Sequence, residues 1–215
     1  MNNDMKRGTW MEKENVDVLI KNLADRNIEG YWFEDFAAAK TKIMNMISVS
    51  ESVGIGNSIT LKNMELSFEL SKRGNLVFDK TLAKNKEEIR ALKRKALLSD
   101  WYITGTNAIS MDGHIVNMDH SGNRVAAMLY GPNHVIVVIG INKVTKTLDE
   151  AIYRVRNIAS PKNAKRAGMN PPCVDLEQCV DCKSPERVCN NLVIIEGQND
   201  KKRMKVFIVN ENNGF

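Results

Sequence analysis

The stretch His134-Val-Ile-Val-Val-Ile-Gly-Ile141, set between Gly131-Pro132 and Asn142, decides the fold class. Its apolar residues do not alternate with polar ones, so both faces of the segment need covering. A strand of this kind belongs in the middle of a sheet with helices on both sides. It is also the longest apolar run in the chain, well short of the ~18 residues that a membrane span requires.

Working outward, the chain alternates two periodicities. Val16, Leu19, Ile20 and Leu23 recur at helical spacing to about Asn27. Residues 29–33 read as a strand, 36–46 as an alanine-rich helix, 52–55 as an apolar strand, 60–73 as a helix and 76–79 as a strand. Asn85 with Glu88 three residues later resembles a capping arrangement that starts a helix ending near Ser99. Residues 101–104 look like a buried strand, and 108–117 like a hairpin turning at Asp112-Gly113. Thr147 and Glu150 open a helix expected to end near Ala159, and strands at 192–195 and 204–209 close the chain. The pattern predicts one α/β domain over residues 15–215 with a largely parallel sheet, preceded by a flexible polar lead-in at 1–14. Between 160 and 191 the apolar periodicity stops, and that stretch is expected to be irregular.

Lys and Arg total 31 against 26 Asp and Glu, a net charge of +5. The excess is small and dispersed. The cluster Lys201, Lys202, Arg203 and Lys205 reads as a solvated strand flank, and few aromatics lie among the basic residues as stacking platforms, which excludes a nucleic-acid groove. Neither a membrane span nor a secretory signal is present, so a cytoplasmic protein with reduced thiols is expected.

All four cysteines fall in one short stretch as Cys173-x5-Cys179-x2-Cys182-x6-Cys189. A tight turn brings the two sulfurs of a Cys-x2-Cys pair together, and Cys173 and Cys189 could complete a four-thiolate shell for a [4Fe–4S] cluster or, alternatively, zinc. Clustering argues against inert core cysteines, and the compartment argues against disulfides.

Two glycine-rich polar segments follow strands. Gly54, Gly56, Asn57, Ser58 and Thr60 form the first, and Thr104, Gly105, Thr106 and Asn107 the second. Positions just beyond strand ends are where open α/β sheets bind ligands, and these residues offer amides and hydroxyls to an anion. The first is neither a dinucleotide fingerprint nor a P-loop, because the third glycine and the Gly-Lys-Ser/Thr are missing. Asn123 and Arg124, beside Asp119, could hold a carboxylate, although Arg124 could equally pair with Asp119. His120 is the one histidine read as an acid or base; Asp119, His120 and Arg124 are therefore the catalytic candidates.

Taken together, Val53-Gly-Ile-Gly-Asn-Ser-Ile-Thr-Leu61, Thr104-Gly-Thr-Asn-Ala-Ile109, Gly122-Asn-Arg-Val-Ala-Ala127, Pro161-x-Asn-Ala-Lys-Arg166, Cys179-Val-Asp-Cys182 and Ser184-Pro-Glu-Arg187 resemble the lactate-utilisation (LUD) domain family. The match lies in the branch with a C-terminal four-cysteine segment. The resemblance implies a three-layer α/β/α Rossmann-like fold related to the CoA-transferase, ribose-phosphate isomerase and glucosamine-phosphate deaminase superfamily. It further implies a role in hydroxy- or oxo-acid metabolism beside iron–sulfur or other redox partner proteins.

The expectation is a redox-associated metabolic protein that binds a small anionic metabolite, carries a cysteine-ligated metal site and is able to form homo-oligomers. A non-catalytic subunit or sensor with structural zinc is the alternative, and an isomerase or transferase acting on sugar phosphate or CoA thioester is a further one.

Overall fold

The computed structural model of the protein describes residues 13–215. The elements in chain order are α1 (Lys13–Asp25), β1 (Glu29–Phe33), α2 (Phe36–Met46), β2 (Val53–Ile55), α3 (Ile59–Asn63), α4 (Leu66–Arg73), β3 (Val77–Asp79), α5 (Lys86–Ala96) and β4 (Trp101–Thr104). There follow β5 (Ala108–Ser110), β6 (Ile115–Asp119), α6 (Asn123–Leu129), β7 (His134–Gly140), β8 (Val144–Thr145), α7 (Leu148–Arg154), α8 (Ser160–Arg166), β9 (Asn191–Ile195) and β10 (Met204–Val209). The expected lead-in lies outside the described residues up to 12, and Lys13 and Glu14 already belong to α1.

Six parallel strands form the main sheet in the order β1-β10-β7-β4-β2-β3. The uniform apolar run of β7 is explained by its central place: Ile136 and Val138 enter the core beneath α2, α3 and α4, while Val135, Val137 and Ile139 enter the core beneath α1, α5 and α6. This is the three-layer α/β/α arrangement. From β2 the chain moves outward to β3, then jumps back over β2 to β4. The strand order therefore reverses between β2 and β4, and their loops leave the sheet in different directions, opening a crevice at their carboxyl ends.

A second sheet, β8-β5-β6-β9, is not expected from the sequence. The hairpin at Asp112-Gly113 forms as expected, but it pairs with β8 and β9 instead of joining the main sheet. Ala108 and Val116 on one face of this small sheet pack on Ala151 and Val155, while Ile109, Ile115 and Ile195 on the other face join the main core.

Three expectations are corrected. The single helix over 60–73 is two, α3 and α4, with Glu65 left-handed between them at φ 54°. The buried positions Leu61, Met64, Leu66 and Leu70 explain the break: a step of two from Met64 to Leu66 cannot stay on one helical stripe, and the left-handed residue resets the phase. The second correction is that the helix expected to end at Ala159 continues to Arg166 through a π-helical turn at Val155–Ala159. The Ser160 amide bonds the Val155 carbonyl five residues back, and this widened turn admits Pro161, which has no amide to donate. The irregular segment is thus 167–190, not 160–191, apart from a 3-10 turn at Pro172–Val174. Third, Arg203 is not a solvated charge. Its guanidinium donates to the carbonyls of Ala127 (2.9 Å), Met128 (2.6 Å) and Pro132 (3.1 Å), closing the C-terminal end of α6.

Candidate functional site

The crevice between the ends of β2 and β4 opens into a cavity of about 150 Å³. Asn57 and Ser58 form one wall, and Thr104, Gly105, Thr106 and Asn107 the next. Met118, Asp119, His120, Asn123 and Arg124 lie opposite. Of the ligand candidates read from the sequence, Gly54, Gly56 and Thr60 do not line it. Gly54 instead lets β2 pack on α5, since a Cβ there would lie 2.9 Å from both Ala96 and Ser99. Gly56 lets the loop approach Thr104, whose hydroxyl would be 2.5 Å from a Cβ. Thr60 is fully buried, with its hydroxyl unpartnered. The adjoining α3 has only five residues, so its N-terminus contributes little field to the mouth.

Much of the polar wall is engaged in building itself. Arg124 pairs with Asp119 at 3.0 Å and also donates to the Asn107 side chain (3.0 Å) and the Met118 carbonyl (2.6 Å). The second Asp119 oxygen accepts from the Gly122 amide at 2.8 Å. Asp119 and Arg124 thus neutralise each other, and Arg124 acts as the fixed corner of the mouth. Thr106 donates to the Val116 carbonyl at 3.0 Å, and Arg154 donates to the carbonyls of Asn107 (2.6 Å) and Asn142 (3.1 Å), tying α7 to both flanking loops. The Asn57 and Ser58 side chains and the exposed His120 ring make no such bonds among the described residues.

The structure adds cations that the sequence did not reveal: Lys80 from the turn after β3, Lys93 from α5, Lys143 from the turn after β7, and Arg166 from α8, with Asn163 beside it. Lys93 reaches Ser121 (3.0 Å), and Arg166 reaches Asn163 (2.7 Å). Lys80 and Lys143 have no hydrogen bond or ion pair among the described residues. Burial, then neighbouring Lys93, lowers the Lys80 pKa. Lys143 is 4% exposed. Burial first, then Arg154 and Arg124, pushes its amine down to about 7. With its one carboxylate neutralised, the mouth is a cationic site.

Next to it lies a cavity of about 130 Å³ lined by Cys173, Cys179, Cys182 and Cys189, together with Arg156, Ser160 and Arg187. Met118 lines both cavities. Cys173 is buried and the other three are half-buried; all four are free thiols. Burial raises the Cys173 thiol, and the other three cysteines raise it further. The Asp181 amide approaches Cys179 Sγ at 3.5 Å across the Cys-x2-Cys turn, and Asp181 is left-handed at φ 46°. Arg187 donates to the carbonyls of Cys182 (2.9 Å) and Cys189 (2.8 Å). Among the described residues, no three His, Cys, Asp or Glu converge closely enough to hold a single metal ion.

The segment carrying these cysteines is stitched to both neighbours. The Asn190 amide donates to the Asp119 carbonyl (3.0 Å), and its side chain to the His120 carbonyl (3.1 Å). The Cys179 amide donates to Asn157 of the π turn at 3.3 Å. The cysteine segment therefore lies against the mouth's back wall at Met118 to His120 and does not cover the opening. Of the remaining histidines, His114 bonds Glu196 (3.0 Å), and His134 stacks on Trp101 with ring centroids 4.4 Å apart. Among the described residues, no helix is long and apolar enough to cross a membrane.

A family model described as the LUD domain matches residues 16–209. Six solved chains match, among them the crystal structure of a DUF162 family protein from Deinococcus radiodurans. It is similar in fold with a TM-score of 0.54, at 17% identity over 91% of this chain and 96% of that one. Among curated proteins, none matches.

Proposed function

Because this chain belongs to the LUD domain family, a family associated with lactate utilisation, we propose that its mouth binds a small hydroxy- or oxo-acid anion and that its four cysteines hold an iron–sulfur cluster alongside. The observation that carries the first half is the pair of unpartnered amines, Lys80 and Lys143, facing one polar, cationic cavity. Buried charge without a partner is costly, and an acid's carboxylate offers the cations of the mouth the partner they lack. Size supports the same class of ligand. A cavity of about 150 Å³ suits a molecule near benzene in volume.

Within the mouth, Lys80 and Arg166 bind the carboxylate above Lys143; Asn57, Ser58 and the Asn107 amide orient the hydroxyl or carbonyl of the acid. Arg124 and Asp119 do not bind ligand but hold Asn107 and Met118 in position. His120, exposed at the rim, is the group available to exchange a proton with a bound hydroxyl.

The cluster would be held by Cys173, Cys179, Cys182 and Cys189, and when bound it supplies one-electron chemistry. Four cysteines lining one cavity match the number of thiolates that a [4Fe–4S] cluster takes. Burial, then the neighbouring cysteines, raises the Cys173 thiol, and binding a metal exchanges its proton for the metal. The Asp181 amide and the Arg187 guanidinium offer the outer hydrogen bonding that tunes such sites.

Calorimetric titration of pyruvate and L-lactate into the full chain tests the mouth. Binding that weakens roughly tenfold or more in Lys80→Gln, as expected for losing a charged hydrogen bond, supports the reading; no heat with either acid at millimolar concentration removes it. Iron and acid-labile sulfide measured on anaerobically purified protein test the cluster, and stoichiometric zinc in their place would favour a structural, non-catalytic role for that segment.

A further inference from the structure

Lys143 differs from every other cation of the mouth. Lys80, Lys93 and Arg166 reach the cavity from its rim, and each is at least partly open to solvent. Lys143 comes from the floor, in the 3-10 turn that directly follows central strand β7, and is 4% exposed. Beside it, Arg124 is engaged with Asp119, Asn107 and Met118, and Arg154 donates to the Asn107 and Asn142 carbonyls and does not line the cavity.

The chain is shaped around this amine. The C-terminal segment crosses it at Gly214, which is left-handed at φ 67°, and a Cβ there would stand 3.2 Å from Lys143 Nζ. That crossing is anchored on both sides. The Asn213 amide donates to the Asn142 side chain at 3.1 Å, and the Asn63 side chain donates to that of Asn213 at 3.1 Å. Thr60 Oγ1, buried and unpartnered, lies 3.4 Å from the same Cβ position. A primary amine at the cavity wall and a buried hydroxyl, neither with a partner, therefore both lie against Gly214.

We propose that Lys143 is a nucleophile that captures the carbonyl carbon of a 2-oxo acid as an imine, with the acid's carboxylate held by Lys80 and Arg166 at the rim. The proposal rests on the acid-binding reading of the mouth and names the ligand class within it. The amine lone pair forms the C–N bond while the carbonyl oxygen takes up a proton. The resulting carbinolamine then expels water, whose oxygen comes from the carbonyl and whose two hydrogens are those the amine gives up. The step needs no oxidant or reductant. An amine held down to about 7 keeps a large neutral fraction at physiological pH, which an ordinary lysine does not.

Borohydride trapping tests this with pyruvate as the probe. The full chain is incubated with pyruvate and sodium borohydride, digested and mapped by mass spectrometry, and pyruvate affinity is measured in parallel by calorimetry. The expected result is a reduced pyruvyl adduct on the peptide carrying Lys143, formed far faster than on any other lysine. Its rate rises through about pH 7. Lys143→Met abolishes the adduct, and Lys143→Arg, which keeps the charge, abolishes it too. Pyruvate that binds without being trapped, or adducts spread evenly over surface lysines, overturns the imine and leaves the acid-binding reading intact. Absence of both binding and trapping overturns the two together. Because the site is mapped on the unaltered protein, the outcome does not depend on either variant folding.

Discussion

The two cavities meet at Met118 but are built in opposite ways. The mouth stands on strand ends: its loops leave β2, β4 and β7 of one parallel sheet, and its corner is locked by Arg124, Asp119 and Asn107 bonding one another. The cysteine cavity stands on residues 167–190, which have little regular structure and three half-buried thiols. Its outer bonds run to Asp119, His120 and Asn157. A site that closes its own hydrogen bonds is ready before its ligand arrives, whereas one with few bonds of its own takes its order from what it binds. The mouth is expected to tolerate losing its ligand. The cysteine segment is not expected to tolerate losing the cluster proposed for it.

The largest effect should therefore come from the thiols. Cys182→Ser should drop bound iron from stoichiometric to near zero and open 167–190 to limited proteolysis, while the sheet core keeps its melting transition. Loss of the whole fold along with the iron would break the comparison. Arg124→Ala comes next. Removing one partner of a largely buried pair costs about 3–5 kcal/mol, readable as a lower urea midpoint, and Asp119→Ala added to it should recover part of that loss. Arg203→Ala, which strips the carbonyls of Ala127, Met128 and Pro132 of their donor, should cost about 2–3 kcal/mol and leave acid binding unchanged.

The smallest effect has the opposite sign. Folding depresses the Lys143 amine to about 7, so between that pH and its ordinary range near 10.5 the unfolded chain holds a proton that the folded chain has released. Stability therefore rises with pH across that window, and the penalty is fully present below it. Lys143→Met should then stabilise the protein at pH 6, a gain that fades toward pH 10 in paired urea titrations. Saturating pyruvate should shrink it as well.

How much of this was readable beforehand follows from what each feature depends on. The uniform apolar run of β7 fixed the covered sheet, and Asn85 and Thr147 cap α5 and α7 as read, accepting from the amides of Glu88 (2.9 Å) and Glu150 (3.2 Å). These are local signals. The second sheet was not readable because β8 has two residues and β5 three, too short to show a period. Asn57, Ser58 and Thr104 to Asn107 were readable at the mouth because small polar residues after a strand mark a loop that leaves the sheet. Lys80, Lys143 and Arg166 were not, because a lone lysine carries no pattern and only the strand order brings the ends of β3 and β7 to one cavity. Gly54 and Thr60 were read as ligand groups because the sequence shows a glycine's freedom but not the direction in which the space is used.

The central claim is an acid-binding mouth that shares a wall with a cysteine-held cluster, and electron paramagnetic resonance on anaerobically purified, dithionite-reduced protein tests it most directly. The account predicts an iron–sulfur signal whose g-values shift when pyruvate is added, with no shift in Lys80→Gln at the same pyruvate concentration. Protein that carries stoichiometric zinc and no signal, or a signal indifferent to pyruvate while calorimetry shows the acid bound, would contradict it.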